Sequence, residues 1–349
     1  MPTPPTPAVQ TKGARPGWFD RLLSLTPLTA ARPKAKMDIA FPADFLASLE
    51  RLRLVALKAM GGGLREGHRL GAYKGGQLEF HGHRNYTPGD ELRYVDWNTY
   101  ARLGKPYVKE FAREEAGVVH ILLDATTSMS LGDPSKWTFA RRVAALFAHV
   151  AYSSKDVVYL NVFRTRLPLA QFPLRGVKGG IRQCIDFLEK CKLESPNDPG
   201  NTVHEGLAGT VPRPTLLSQA VSDFLRASPA RGRAILISDF WQNEQEVVAS
   251  LSRLSSAGFD ISGIHVLAPE ELEPAIEGEI LARSVEDESE VSLSATGDMR
   301  VRYQRELEKH RNAVEEAFKR RGGQYLFQRC DTSIERVLIS TLRQRRWMS

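Results

Sequence analysis

The run Val118-Val119-His120-Ile121-Leu122-Leu123-Asp124-Ala125-Thr126-Thr127-Ser128-Met129 decides how this chain folds. Its first part is apolar at successive positions rather than alternate ones, the pattern of a strand covered on both faces. It then stops at a carboxylate, and hydroxyls follow two and four residues later. The motif returns downstream as Ala234-Ile235-Leu236-Ile237-Ser238-Asp239-Phe240, again an apolar strand closed by Asp. Between and beyond the two runs, strand and helix patterns alternate. Trp137, Ala140, Val143, Phe147 and Val150 recur at helical spacing, Val157–Phe163 reads as a strand, and further strands are expected at Ile261–Leu267 and Tyr325–Phe327. Helices are expected near Ile181–Cys191, Leu216–Leu225, Glu246–Leu254, Tyr303–Arg320 and Ser333–Leu342. This alternation predicts an α/β fold with a doubly wound, mostly parallel sheet.

In such a sheet, ligands gather beyond the carboxyl ends of the strands where strand order reverses. Asp124 and Asp239 are therefore the candidate site residues, with Thr126 and Ser128 beside the first. Carboxylates and hydroxyls without His or Cys suit a hard cation, Mg²⁺ or Mn²⁺, that prefers oxygen ligands. The plainer alternative is an Asx turn at Asp124 and a helix cap at Asp239.

Residues 1–35 carry Pro2, Pro4, Pro5, Pro7, Pro16, Pro27 and Pro33 among scattered cations and read as a disordered tail. Residues 36–115 form a second segment. Phe45, Leu46, Leu49, Leu52, Val55 and Leu57 mark one helix, ended by Gly61, Gly62 and Gly63, and Leu64–Glu115 reads as short strands and turns. Its clearest turn is Thr87-Pro88-Gly89-Asp90. Residues 116–349 form the α/β domain.

The net charge of +7 invites a nucleic-acid reading, but the cations are dispersed and no basic cluster interleaves with stacking aromatics. No apolar stretch reaches the roughly 18 residues of a membrane span. The three cysteines, Cys184, Cys191 and Cys330, have no metal-ligand or disulfide pattern, so a cytoplasmic location is the expectation.

The two strand ends together resemble the metal-ion-dependent adhesion site of von Willebrand factor type A domains. That family places Asp-x-Ser-x-Ser after its first strand, a Thr in a later loop and an Asp after its fourth strand. Asp124, Thr126 and Ser128 match the first part with Thr for one Ser, and Asp239 matches the last. Thr215, in Arg213-Pro214-Thr215, matches the loop Thr better than Thr202 does. A closer resemblance rests on Gly75–Phe80, on Arg84-Asn85-Tyr86-Thr87-Pro88-Gly89-Asp90-Glu91-Leu92-Arg93-Tyr94-Val95-Asp96-Trp97, and on Ala101-Arg102 and Val108-Lys109. These look like the signature of domain-of-unknown-function family 58, in which the signature precedes a von Willebrand type A-like domain. The resemblance implies a partner of the MoxR type, an AAA+ ATPase, and a role in assembling or remodelling other proteins.

Mixed charges around aromatics, here Arg84, Asp90, Arg93 and Asp96, normally form a paired network that fixes local geometry. The alternative is a docking surface anchored by Trp97, Tyr86 and an arginine. For the whole chain the expected function is a non-enzymatic, metal-dependent protein-interaction module. Its cation would be held by Asp124, Thr126, Ser128, Thr215 and Asp239 and would accept an acidic residue of the partner. The competing function is a metal-dependent hydrolase or phosphoryl-transfer enzyme. Phosphatases of the haloacid-dehalogenase type need a second Asp two residues after the first, and Thr126 occupies that place.

Overall fold

The computed structural model describes residues 25–27, 40–42, 44–61, 78–113, 117–164, 170–174, 180–193, 216–227, 230–274, 278–284, 290–295 and 297–343. In chain order the elements are β1 (Leu25–Pro27), α1 (Phe45–Gly61), β2 (Leu78–Asn85), α2 (Trp97–Leu103), β3 (Tyr107–Arg113), β4 (Val118–Asp124), α3 (Lys136–Ser153), β5 (Val157–Phe163), β6 (Ala170–Leu174) and α4 (Gly180–Lys190). They continue with α5 (Leu216–Ala227), β7 (Arg233–Ser238), α6 (Glu244–Ser256), β8 (Asp260–Leu267), α7 (Pro269–Leu272), β9 (Gly278–Ser284), β10 (Glu290–Ala295), α8 (Gly297–Lys319), β11 (Gln324–Arg329) and α9 (Ile334–Arg343).

The main sheet runs β11-β8-β7-β4-β5-β6, parallel except for β6, which pairs antiparallel with β5. From β4 the chain winds outward through β5 and β6, then returns to lay β7 on the other side of β4. The switch point of this doubly wound sheet is therefore the β4–β7 pair. The pairing of Leu123 with Ile237 brings Asp124 and Asp239 to adjacent strand ends.

Successive side chains of β4 serve opposite cores. Ile121 and Leu123 join Val143, Leu146 and Phe147 of α3 on one face, while Leu122 joins Leu217, Phe224, Leu251 and Phe318 of α5, α6 and α8 on the other. This two-sided burial is why both central strands read as continuous apolar runs. Phe318 lies so close to β8 that a Cβ on Gly263 would stand 2.3 Å from its Cζ.

Helix α1 packs against this domain rather than standing apart with the signature. Phe45, Leu49 and Leu52 share the α3-side core, and the Arg142 Nε–H donates to the Ala40 carbonyl at 2.7 Å. The tail expected to be disordered contributes β1, whose three residues pair antiparallel with β9 in a small sheet completed by β10. Pro27 sits on an edge strand, the place in a sheet where proline is tolerated. The rest of that tail lies outside the described residues, as do Thr202 and Thr215.

Within the signature, β2 and β3 pair antiparallel. The expectation of strands and turns alone misses α2, which Asp96 starts by accepting from the backbone N–H of Asn98 and Thr99 at 3.0 and 3.1 Å. Gly104, at φ 67°, ends it.

Candidate metal centre

Each half of the strand-end site is built by local chain geometry. Asp124 Oδ1 accepts from the Thr126 N–H at 3.0 Å, the Asx turn that bends the chain off β4. A short 3₁₀ turn over Thr127–Ser130 follows, pinned by the fully buried Met129. The turn holds the hydroxyls of Thr126 and Ser128 at 2.9 Å from each other. On the neighbouring strand, Ser238 Oγ donates to Asp124 Oδ2 at 2.6 Å and accepts from the Phe240 N–H at 3.0 Å, so one hydroxyl ties the two strand ends together. Phe240 takes φ 47°, an uncommon conformation for a residue with a side chain. Its ring is fully buried against His265 and Phe318, and His310 Nε2–H donates to its carbonyl at 2.8 Å.

Asp124 and Asp239 are fully buried, and Thr126 nearly so. Burial, and then the charge of Asp239, hold the Asp124 carboxyl up at about 7, against the hydrogen bonds from Ser238 and Thr126. Four of the five residues expected at the site thus converge, while Thr215 falls outside the described residues. The Asx-turn alternative for Asp124 holds at the same time. The cap alternative for Asp239 does not, because Asn243 caps α6 through a bond from the Gln245 N–H.

Two residues at the centre escaped the sequence reading. Lys136, the first residue of α3, has no exposure. Its Nζ donates to Asp239 Oδ2 at 2.8 Å and to Glu271 Oε1 at 2.7 Å. Burial alone would lower its pKa, but the charges of Asp239 and Glu271 outweigh burial and raise it above the ordinary lysine value. Glu271 is itself fixed, accepting from Trp241 Nε1–H at 2.9 Å and from the Ala268 N–H at 2.7 Å. Helix phase could have found Lys136: it lies four, seven and eleven residues before Ala140, Val143 and Phe147, on the buried stripe, where a lysine demands a carboxylate.

The donor set fits a hard divalent cation in kind. Asp239 Oδ1 is buried and has no hydrogen-bond partner among the described residues, which leaves one carboxylate oxygen for an incoming ion. Among the described residues no three His, Cys, Asp or Glu side chains form a metal-holding group, so a cation here would rest on the Asp239 carboxylate, hydroxyls and water, with Asp124 beside it as a second negative charge.

Of the four signature charges expected to form one paired network, only Arg84 and Asp90 pair with each other, while Asp96 and Arg93 pair with other residues. Arg84 grips Asp90 through two bonds of 2.6 Å, and Asp90 Oδ2 also accepts from the Thr87 N–H at 2.8 Å, locking the Thr87–Asp90 turn with Gly89 at φ 110°. Asp96 Oδ2 lies 2.8 Å from His83 Nε2. Arg93 pairs with Glu91 rather than with either Asp and lies over the Tyr94 ring, because its side chain extends along the exposed 3₁₀ turn of Leu92–Tyr94. Pro88 and Tyr86 serve the turn and the hairpin end, where the Tyr86 N–H donates to the Pro106 carbonyl. Trp97 points outward at 58% exposure, close to Tyr100, and Leu92 and Leu103 of the same segment are also exposed.

Residues 82–313 match the family described as "Protein of unknown function DUF58". The chain belongs to that family. The chain is also similar to the uncharacterized protein Rv1480 of Mycobacterium tuberculosis, 24% identical over 291 residues that cover 82% of this chain and 84% of the relative. Among solved structures, BatB from Bacteroides thetaiotaomicron is similar with a TM-score of 0.38 at 18% identity, over 66% of this chain and all of the other. The SpRpn10 VWA domain is similar with a TM-score of 0.35 at 8% identity, over 64% of this chain and 94% of the other. No helix among the described residues is long and apolar enough to cross a membrane.

Proposed function

We propose that this DUF58 protein is a non-enzymatic protein-interaction module whose strand-end site holds Mg²⁺ or Mn²⁺. The observation that carries the reading is the convergence at the switch point of Asp124, Asp239, Thr126 and Ser128, with Asp239 Oδ1 buried and unpartnered among the described residues. Thr126, Ser128 and Asp239 would hold the ion, and Asp124 would orient the Thr126–Ser128 turn and balance charge. The ion supplies an electrophilic contact for a carboxylate. Thr127 and Ser128 are the half-exposed residues of the site, so a partner reaches it over their turn.

The partner in this proposal is an acidic segment of a MoxR-type AAA+ ATPase, met in the cytoplasm during assembly or remodelling of other proteins. The signature resemblance supports that class of partner. Charge complementarity supports an acidic segment: exposed Leu92, Trp97, Tyr100 and Leu103 are interleaved with Arg93, Arg102 and Lys105 in sequence, a combination of aromatic anchors and cations suited to acidic-apolar peptides.

Thermal melts of the full chain with and without divalent metal test the site. At free metal roughly a hundredfold above its dissociation constant, binding adds about 2.7 kcal/mol. Mg²⁺ or Mn²⁺ should raise the melting temperature of wild type and leave that of Asp239→Ala unchanged. An undiminished response in Asp239→Ala moves the metal elsewhere. A pull-down with a MoxR-type AAA+ ATPase should weaken on chelation and in Trp97→Ser; binding indifferent to both refutes the partner reading.

A further inference from the structure

The strand-end site already contains a cation. Lys136 stands at the N-terminus of α3, where a positive charge opposes the helix macrodipole, and it has no exposure. Both costs are met by two carboxylates, Asp239 Oδ2 at 2.8 Å and Glu271 Oε1 at 2.7 Å. The place of the ammonium is fixed from three directions. Ser135 caps α3 by accepting from the Thr138 N–H, Trp241 and Ala268 hold the Glu271 carboxylate, and Tyr303 OH donates to the Glu271 carbonyl at 2.8 Å. The same ammonium divides the two oxygens of Asp239: Oδ2 is taken, and Oδ1 has no partner among the described residues.

We propose that the Lys136 ammonium is the resident cation of this site: it keeps Asp239 neutralised and in place without metal, and its charge keeps an incoming divalent ion at Oδ1 weakly held and exchangeable. The inference rests on reading the strand ends as a divalent-cation site, and it adds what sets the affinity. An ion at Oδ1 meets a fixed unit charge on the far side of a single carboxylate, in a buried setting where such repulsion is little screened. Asp124, Asp239 and Glu271 against Lys136 and a divalent ion sum to zero formal charge, so the occupied site is balanced, and the empty one keeps Asp239 paired.

The test measures Mn²⁺ binding to the full chain, by electron paramagnetic resonance of the free ion, in wild type, in Lys136→Met and in the double variant Lys136→Met/Glu271→Gln. The double variant deletes one charge of each sign, so it carries the measurement if Lys136→Met alone does not fold in chelator. The Mn²⁺ dissociation constant should fall at least tenfold in both variants. Mn²⁺ should also raise their melting temperatures more than it raises that of wild type. Unchanged or weaker Mn²⁺ binding in the double variant, with wild-type binding intact, overturns the role of Lys136 and leaves the cation site standing. Tight binding in the variants and none in wild type supports the resident ammonium and removes metal dependence from the natural protein. No binding in any of the three overturns both readings.

Discussion

Replacing Ser238 by Ala and replacing Ser250 by Ala make the same change at the same burial, a hydroxyl lost at 0% exposure, yet the two should differ sharply. Ser238 Oγ donates to Asp124 Oδ2 at 2.6 Å and accepts from the Phe240 N–H at 3.0 Å. Its removal forfeits a hydrogen bond to a carboxylate, about 1.5–3 kcal/mol, and strands a buried N–H, about 1–3 kcal/mol, for a combined loss of roughly 3–5 kcal/mol. In a domain of this size that lowers the melting temperature by about 6–20 °C. Ser250 Oγ, inside α6, has no hydrogen-bond partner among the described residues. Ala there removes a desolvated hydroxyl and improves helix propensity, so stability should stay within about 0.5 kcal/mol or rise slightly. Urea unfolding and calorimetry of both variants in chelator at pH 8, above the value near 7 at which Asp124 is held, give the comparison. Equal losses in the two variants, or a loss below about 1 kcal/mol for Ser238→Ala, would refute the idea that this hydroxyl ties the strand ends.

The signature should show an acid limb. Asp90 and Asp96 both titrate at about 2, held down chiefly by hydrogen bonds with Arg84 and His83 respectively. A depressed carboxylate stabilises the fold above its unfolded value, about 3.9, and loses that contribution as pH falls through the folded one. Amide protection in β2, β3 and α2 should therefore decline between about pH 4 and pH 2, whereas Asp96→Ala, which removes the cap, should show reduced protection of α2 already at pH 6; flat profiles would count against these pairings. Gly263→Ala drives a Cβ to 2.3 Å from Phe318 Cζ and should cost about 1–3 kcal/mol by urea unfolding, with Phe318→Leu in the same chain recovering part of it; no loss would mean that α8 is not seated on β8 as described.

Much of the fold was legible because burial on both faces leaves strands no polar alternation. Val118–Leu123 and Ala234–Ile237 read as continuous apolar runs for that reason, and the carboxylates that follow them, Asp124 and Asp239, stood out against them. The strand β6 was not legible: Ala170–Leu174 is an edge strand broken by Pro173, with exposed and half-buried positions, and it carries no such signal. The site was half legible. Asp124, Thr126 and Ser128 are close in sequence, and the repeated strand-plus-Asp pattern pointed to Asp239. Lys136 and Glu271 owe their places to tertiary contacts across 103 and 135 positions, which local periodicity does not encode. The helix α2 was hidden by its mixed polarity, since its start is set by the Asp96 cap and not by an apolar stripe.

Anomalous diffraction from crystals grown with Mn²⁺ tests the strand-end cation most directly. A peak is expected at the carboxyl ends of β4 and β7, bonded to Asp239 Oδ1 and the hydroxyls of Thr126 and Ser128, with the Lys136 ammonium still on Asp239 Oδ2, and it should vanish in Asp239→Ala. A pocket holding only water beside Lys136, with Mn²⁺ bound at some other place on the molecule, would contradict the account.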